Sequence, residues 1–220
     1  MMKYIMLLLS TLMGIMLSNA APVSSDLDDP LANYSIVDLE WIVPISPYRN
    51  DTVIGTIQDV ANHLAIVDPE GFAAVNESIN EAVKTSASGR ASVSYSSSDS
   101  PGEYGEYDPT DYSCNPFHDL VSGIRIKYGV EYLRKVKGTP GQGPGPASCG
   151  RVSCSYNAAI FWCNDNTEGM VLDSYGRIAD GAQDLITDCC FIQDDGSYGV
   201  FNGVQRFGGN WNVVVQKKSC

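Results

Sequence analysis

The residues of this chain able to do chemistry are seven cysteines, two histidines and a scatter of aspartates. A structural zinc site needs thiolates or imidazoles in close pairs, typically Cys-x2-Cys. The cysteines stand instead at Cys114, Cys149, Cys154, Cys163, Cys189, Cys190 and Cys220, and His63 and His118 lie in different segments. No Cys-x-x-Cys redox pair is present either. The spacing therefore predicts disulfide staples, no metal and no other cofactor. Each staple contributes ~2–4 kcal/mol, chiefly by constraining the unfolded chain. Seven is odd, so one thiol is left over or joins a second molecule, and with the choice of the odd one roughly a hundred arrangements stay open. Cys189 and Cys190 are expected at a helix end, pointing apart, with at least one bridged, and Cys220 is expected to tie the last strand back.

Hydrolytic chemistry finds little support. A serine hydrolase needs a nucleophile, a base and an orienting acid. The elbow Gly-x-Ser-x-Gly is absent, and Gly196-Ser197-Tyr198-Gly199 reads as a turn. A glycosidase needs two carboxylates across a cleft. Asp165, Asp173, Asp180, Asp184, Asp188, Asp194 and Asp195 are available, but no spacing singles out a pair. Asn164-Asp165-Asn166 resembles the start of a calcium loop without the Gly and distal Glu that such a loop needs. The expectation is a binding protein with no catalytic residue. Tyr198, Phe201 and Phe207, in or near glycine-rich turns, are the candidate contacts for a partner.

The rest of the chain speaks of export. Met1–Ala20 reads as a signal peptide, with Lys3, an apolar run over Ile5–Leu17 and small residues before the cut. That run is shorter than the ~20 residues needed to cross a bilayer, and no later segment is apolar enough to span. Three N-glycosylation sequons follow, at Asn33, Asn50 and Asn76. Sequons fall early and cysteines late. Charge divides the same way: Ala21–Thr110 carries fifteen acidic residues against three basic ones, Asp111–Cys220 eleven against ten. With no basic stripe, the chain is a poor candidate for nucleic acid or anionic membrane surfaces, because both need Lys or Arg against phosphate, and no nucleic-acid partner is expected.

These residues must be positioned by elements that the patterning suggests. Asn33–Ile45 alternates as a half-buried strand ended by Pro44 and Pro47. Asp51 could cap a helix carrying Ile54, Ile57, Val60, Ala61 and Leu64, and Phe72–Val83 could form a second helix. The Ser/Gly/Tyr-rich stretch 86–112 lacks aliphatic content and reads as a flexible linker, its Glu103-Tyr104 and Glu106-Tyr107 pairs as solvated acidic residues. Past it, a short helix at Asp119–Ser122 running into one or two strands is expected, since Ile124, Ile126 and Tyr128 alternate. Gly138–Pro146 reads as an exposed loop, Ser153–Asp165 as a buried strand, and Asp173 or Ser174 as the cap of a helix reaching Cys189. Val200–Phe207 and Trp211–Val215 close the chain as two strands joined at Gly208-Gly209-Asn210. The fold class is α+β: a disulfide-stabilised antiparallel sheet packed on one main helix over 113–220, preceded by an acidic strand-plus-helix segment over 21–85 that could serve as a pro-segment. No dibasic pair lies between the halves to mark a kexin-type cut.

The stretch Ser148-Cys149-Gly150-Arg151-Val152-Ser153-Cys154-Ser155-Tyr156-Asn157-Ala158-Ala159-Ile160-Phe161-Trp162-Cys163-Asn164-Asp165-Asn166, with Gly129–Arg134, Ile178–Ala182 and Asn210–Val215, resembles small secreted cysteine-containing proteins of filamentous ascomycete fungi. The resemblance implies an effector-like role toward a host and names no mechanism. A looser likeness is to fungal killer-toxin-like folds. The combined expectation is a secreted, extracellular protein that binds a host protein or cell-surface component. The alternative is an antimicrobial or killer-type toxin aimed at competing microbes, with a secreted hydrolase third. A disulfide-linked dimer through the odd cysteine is a further expectation.

Overall fold

The computed structural model describes residues 29–87, 108–115, 120–192 and 198–220. The leader, most of the 86–112 stretch, His118, Asp194 and Asp195 lie outside the described residues.

The first expected strand divides in two, β1 (Ser35–Val37) and β2 (Leu39–Ser46). β2 keeps the alternation read from sequence: Leu39, Trp41 and Val43 are buried, Glu40, Ile42 and Pro44 exposed. Pro44 does not end it. It lies within a hairpin, opposite Asn50 on the returning strand β3 (Arg49–Gly55). Asp51 therefore sits in a strand, opposite Val43, and not at a helix cap. Helix α1 (Ile57–Val67) starts later, where Asp59 Oδ2 accepts from the Thr56 backbone N–H (2.7 Å) and hydroxyl (2.8 Å). Helix α2 (Pro69–Ala87) follows after Asp68 alone. Proline at the first helical position loses no intrahelical bond, and Asp68 Oδ1 accepts from the Gly71 N–H at 3.1 Å. Pro69-Glu70-Gly71 thus opens α2, ahead of the start expected at Phe72.

Strand β4 (Pro109–Asn115) draws the end of the presumed linker into the fold. After β5 (Val121–Ser122) comes α3 (Gly123–Lys135), where alternating strands were expected. The alternation of Ile124, Ile126 and Tyr128 masked a helical stripe of Ile126, Val130 and Leu133, all buried. Within the expected loop, β6 (Gly141–Gln142) forms a short strand with Gln142 buried. The single strand read over Ser153–Asp165 is a hairpin of β7 (Ser148–Ser155) and β8 (Ala158–Asn164). Tyr156 and Asn157 turn it with φ of 51° and 62°, the left-handed pair that a two-residue hairpin turn requires. Then come β9 (Met170–Val171), α4 (Gly176–Asp188), β10 (Cys190–Ile192), β11 (Tyr198–Val200), β12 (Asn202–Phe207) and β13 (Trp211–Lys217).

The fold is α+β, with a six-stranded sheet ordered β1-β7-β8-β13-β12-β4 and four helices among the described residues. All pairings in this sheet are antiparallel except β1 with β7. The expected single main helix is replaced by two, α3 and α4, which pack on each other and on one face of the sheet. Both come close to the sheet at glycines. A Cβ on Gly129 would lie 2.6 Å from Ser153 Oγ, and one on Gly181 would lie 2.8 Å from Val213 Cγ2. The opposite face holds a second buried cluster of Leu31, Phe161, Val204 and Val214 with the half-cystines Cys149, Cys154 and Cys163.

The charge boundary is not a packing boundary. Leu39, Trp41, Val43, Ile57 and Val60 belong to the same core as Val130, Trp162, Leu185 and Val213. One edge strand of the main sheet, β1, comes from the acidic half, and the other, β4, begins inside the presumed linker.

Candidate functional site

Six of the seven cysteines are paired: Cys114 with Cys189, Cys149 with Cys163, and Cys154 with Cys220. The first joins edge strand β4 to the end of α4, the second crosses the β7–β8 hairpin, and the third ties the chain end to β7. Cys190 is free and exposed. The adjacent pair straddles the α4 terminus, Cys189 as its C-cap and Cys190 as the first residue of β10.

Several of the other chemically able residues are held in structural pairings. His63 Nε2 lies 2.9 Å from Asp51 Oδ2, and the remaining partner of that carboxylate is Arg49, a cation and not a nucleophile. Arg49, followed by His63, holds the Asp51 carboxyl below its usual 3.8. Asp173 pairs with Arg177 and Asp180 with Arg134. Burial raises the pKa of Asp180 against the pull of Arg134. Asp165 Oδ2 accepts from Tyr34 Oη (3.2 Å) and Asn212 Nδ2 (2.8 Å), joining the N-terminal segment to β13. Asn164 is fully buried, and its Nδ2 donates to Gly143 O (3.0 Å) and Glu168 O (2.8 Å). Asn164-Asp165-Asn166 thus pins loops together. Among the described residues no group of three or more His, Cys, Asp or Glu side chains is set to hold a metal ion.

Of the aromatic residues expected at a partner surface, Phe207 is buried and stacked on Trp211 at 3.8 Å, so it is core. Its glycine-rich turn flanks it without exposing it. Phe201 is half-buried and leans on exposed Phe191, with centroids 5.7 Å apart. The Tyr198 side chain lies outside the described residues. Sequon residues Asn33 and Asn50 are exposed. Asn76 is half-buried on α2, where its Oδ1 accepts from Tyr132 Oη.

The concave feature that these elements build is an apolar cleft of about 260 Å³ beside that Asn76–Tyr132 bond. α1 supplies Ile57, Val60 and Leu64 at helical spacing, and α2 supplies Phe72 and Val75. β2 closes one end with Val43 and Pro44. At the rim stand Tyr132 and Lys135 from the end of α3 and Val136 and Lys137 just past it, and burial raises the Tyr132 phenol above its usual 10.0. Asp68 also lines the cleft, but its Oδ1 is engaged in capping α2. Lys135 and Lys137 are exposed and form no ion pair with a described residue. A cleft just below the usual ~300–1,000 Å³ of ligand pockets suits a small apolar molecule bearing one negative group.

Sequence reasoning missed this cleft. The α1 stripe was legible, yet nothing in it distinguishes a helix face that meets other side chains from one that leaves a gap. Lys135-Val136-Lys137 was the one available signal, a basic pair following an apolar helix. Comparison with known proteins gives no family model, no curated protein and no solved structure that matches the chain.

Proposed function

We propose that this chain is a secreted, disulfide-stabilised protein of fungal type that acts by binding, as an effector or host-interaction protein and not as a catalyst. In this reading the cleft walled by α1, α2 and the end of α3 takes a small aliphatic or aromatic acid. The observation that carries it is an aliphatic wall with two lysines at its rim that pair with no described residue, on a chain of formal charge −12. Burial of the ligand's apolar part supplies affinity at about 25 cal/mol per Å². The lysines favour an anion over a neutral analogue, most strongly at low salt. The exported setting is supported by the three disulfides, which persist in oxidising compartments, and by the leader-like N-terminus. Among the described residues no helix is long and apolar enough to cross a membrane. The host-facing role rests on the sequence resemblance.

The test is calorimetric titration of the exported chain with decanoate and with decanol. Decanoate should bind, with decanol weaker by about tenfold, and Lys135→Glu with Lys137→Glu should remove the difference. Leu64→Trp should fill the cleft and abolish both. Equal binding of the two ligands, or binding indifferent to Leu64→Trp, overturns the assignment. Infiltration of wild type and Leu64→Trp into leaves should give a response to wild type alone. Growth inhibition of plated fungi or bacteria without a leaf response would move the chain to the toxin reading.

A further inference from the structure

The β2–β3 hairpin has an outer face that meets solvent. Alternation turns Glu40, Ile42 and Pro44 of β2 outward, and with them Asn50, Thr52 and Ile54 of β3. All six are exposed. The register sets Ile54 opposite Glu40, Thr52 opposite Ile42 and Asn50 opposite Pro44. Ile42 therefore has Ile54 on one diagonal and Asn50 on the other, each within side-chain reach. Ile42 is 57% exposed and Ile54 66%, so this face presents two aliphatic side chains to water.

The same face carries a complete N-glycosylation sequon, Asn50-Asp51-Thr52. The acceptor Asn50 and the hydroxyl-bearing Thr52 both point outward. Asp51 between them turns the other way, where its carboxylate takes Arg49 (2.6 Å) and His63 (2.9 Å). The Asn50 amide thus stands in solvent beside the aliphatic pair. Asn76, by contrast, is half-buried with its Oδ1 committed to Tyr132.

We infer that Asn50 carries an N-linked oligosaccharide whose first sugars lie over Ile42 and Ile54 and cover the outer face of the hairpin. The inference rests on the exported setting proposed above, and not on the cleft or its ligand. The donor in an export compartment is a lipid-diphosphate-linked oligosaccharide. Asn50 Nδ2 bonds to its anomeric carbon, the C–O bond to the diphosphate breaks, and the lipid diphosphate leaves with that electron pair. The proton lost from Nδ2 passes to a base of the transferase. The attached sugar is bulky and hydrophilic toward water, while the C–H faces of its rings shelter the isoleucines. It also keeps this aliphatic patch from serving as a contact between copies of the chain.

The test compares the full chain from a glycosylating host with Asn50→Gln, with Thr52→Ser (which keeps the sequon) and with Ile42→Thr plus Ile54→Thr. Threonine keeps the β-branched shape that strands favour, so the last pair should fold. Glycopeptide mapping should find sugar on Asn50 in wild type and Thr52→Ser, and intact mass should show one glycan fewer in Asn50→Gln. Methyl-labelled wild type should give nuclear Overhauser contacts from the first sugar to the Ile42 and Ile54 methyls. Wild type should melt about 2–4 °C above Asn50→Gln. With both isoleucines changed to threonine that gap should close, since the sugar then has no aliphatic partner. An equal gap in both backgrounds, no sugar contact with either isoleucine, or self-association of the glycosylated wild type through this face would overturn the inference. So would an exported chain with Asn50 bare, which leaves the exported reading standing. A chain retained in the cell without sugar would sink both.

Discussion

Trp41 of β2 and Tyr175, just before α4, lie stacked with ring centroids 4.6 Å apart and planes 10° from parallel. Both are almost fully buried, and Trp41 Nε1 donates to Gly55 O at 2.8 Å. The contact joins the acidic and cysteine-bearing halves across the 88–107 stretch. No disulfide does so, because every cysteine lies at or beyond residue 114. Noncovalent contacts therefore hold the halves together: the shared core around this stack, the β1–β7 pairing and polar links such as Tyr34–Asp165.

A chain cut within 88–107, at an introduced protease site, should consequently stay whole in native gel filtration. It should separate in denaturing gels without reduction. Trp41→Ala should cost about 3–5 kcal/mol in the uncut protein, read from denaturant melts, and should release the N-terminal fragment from the cut one. Spontaneous separation of the cut wild-type chain would mean that the acidic half is a removable pro-segment after all.

Gly150 on β7 marks a second junction between the halves. A Cβ there would run into the Leu39 side chain of β2. Gly150→Ala should therefore destabilise by roughly 1–3 kcal/mol through overpacking. In a Leu39→Ala background the penalty should largely vanish, since the atoms it meets are gone. A double-mutant cycle measures this directly, and additive effects would show that the strain lies elsewhere.

What was legible in the chain was local. Ile178, Ala179, Ala182 and Ile186 keep one face through α4, and Leu39, Trp41 and Val43 alternate through β2, so pattern alone found both. α3 was misread because Ile124, Ile126 and Tyr128 satisfy a period of two over too short a window to reveal Ile126, Val130 and Leu133. The β7–β8 hairpin was missed because Tyr156-Asn157 lacks the glycine that usually announces such a turn. Cysteine count foretold three bridges and an odd thiol but not their pairing, which depends on register: Cys149 lies directly opposite Cys163. The cleft is assembled from segments as far apart in sequence as Val43 and Lys137, and no local pattern encodes a gap between them.

Asp29 makes acid stability testable. Burial works to raise its pKa, but the Leu31 N–H (2.9 Å) and the Lys218 ammonium (3.0 Å) outweigh it and hold the carboxyl below 3.8. A depressed folded-state pKa stabilises above the unfolded value and is lost as pH falls through the folded one. Asp29→Asn should therefore lower Tm at neutral pH, and its gap from wild type should close as pH falls below 3.8. A constant gap in thermal melts across that range would show that the Asp29–Lys218 contact contributes no ionic stabilisation.

Tyr175 gives the alkaline counterpart. Burial raises its phenol from 10.0 to about 12. The folded state resists ionisation that the unfolded chain accepts, so stability is full below 10.0 and is lost as pH rises toward 12. Tyr175→Phe keeps the ring against Trp41 and removes the titrating group. The variant should match wild type near neutrality and exceed it above pH 10, by up to about 3 kcal/mol once the two-unit window is passed. Absorbance titration should likewise lose one late-ionising phenol in the variant. If that phenol titrates with the exposed tyrosines, Tyr175 is reached by water, and the Trp41 stack cannot be the sealed junction that holds the halves together.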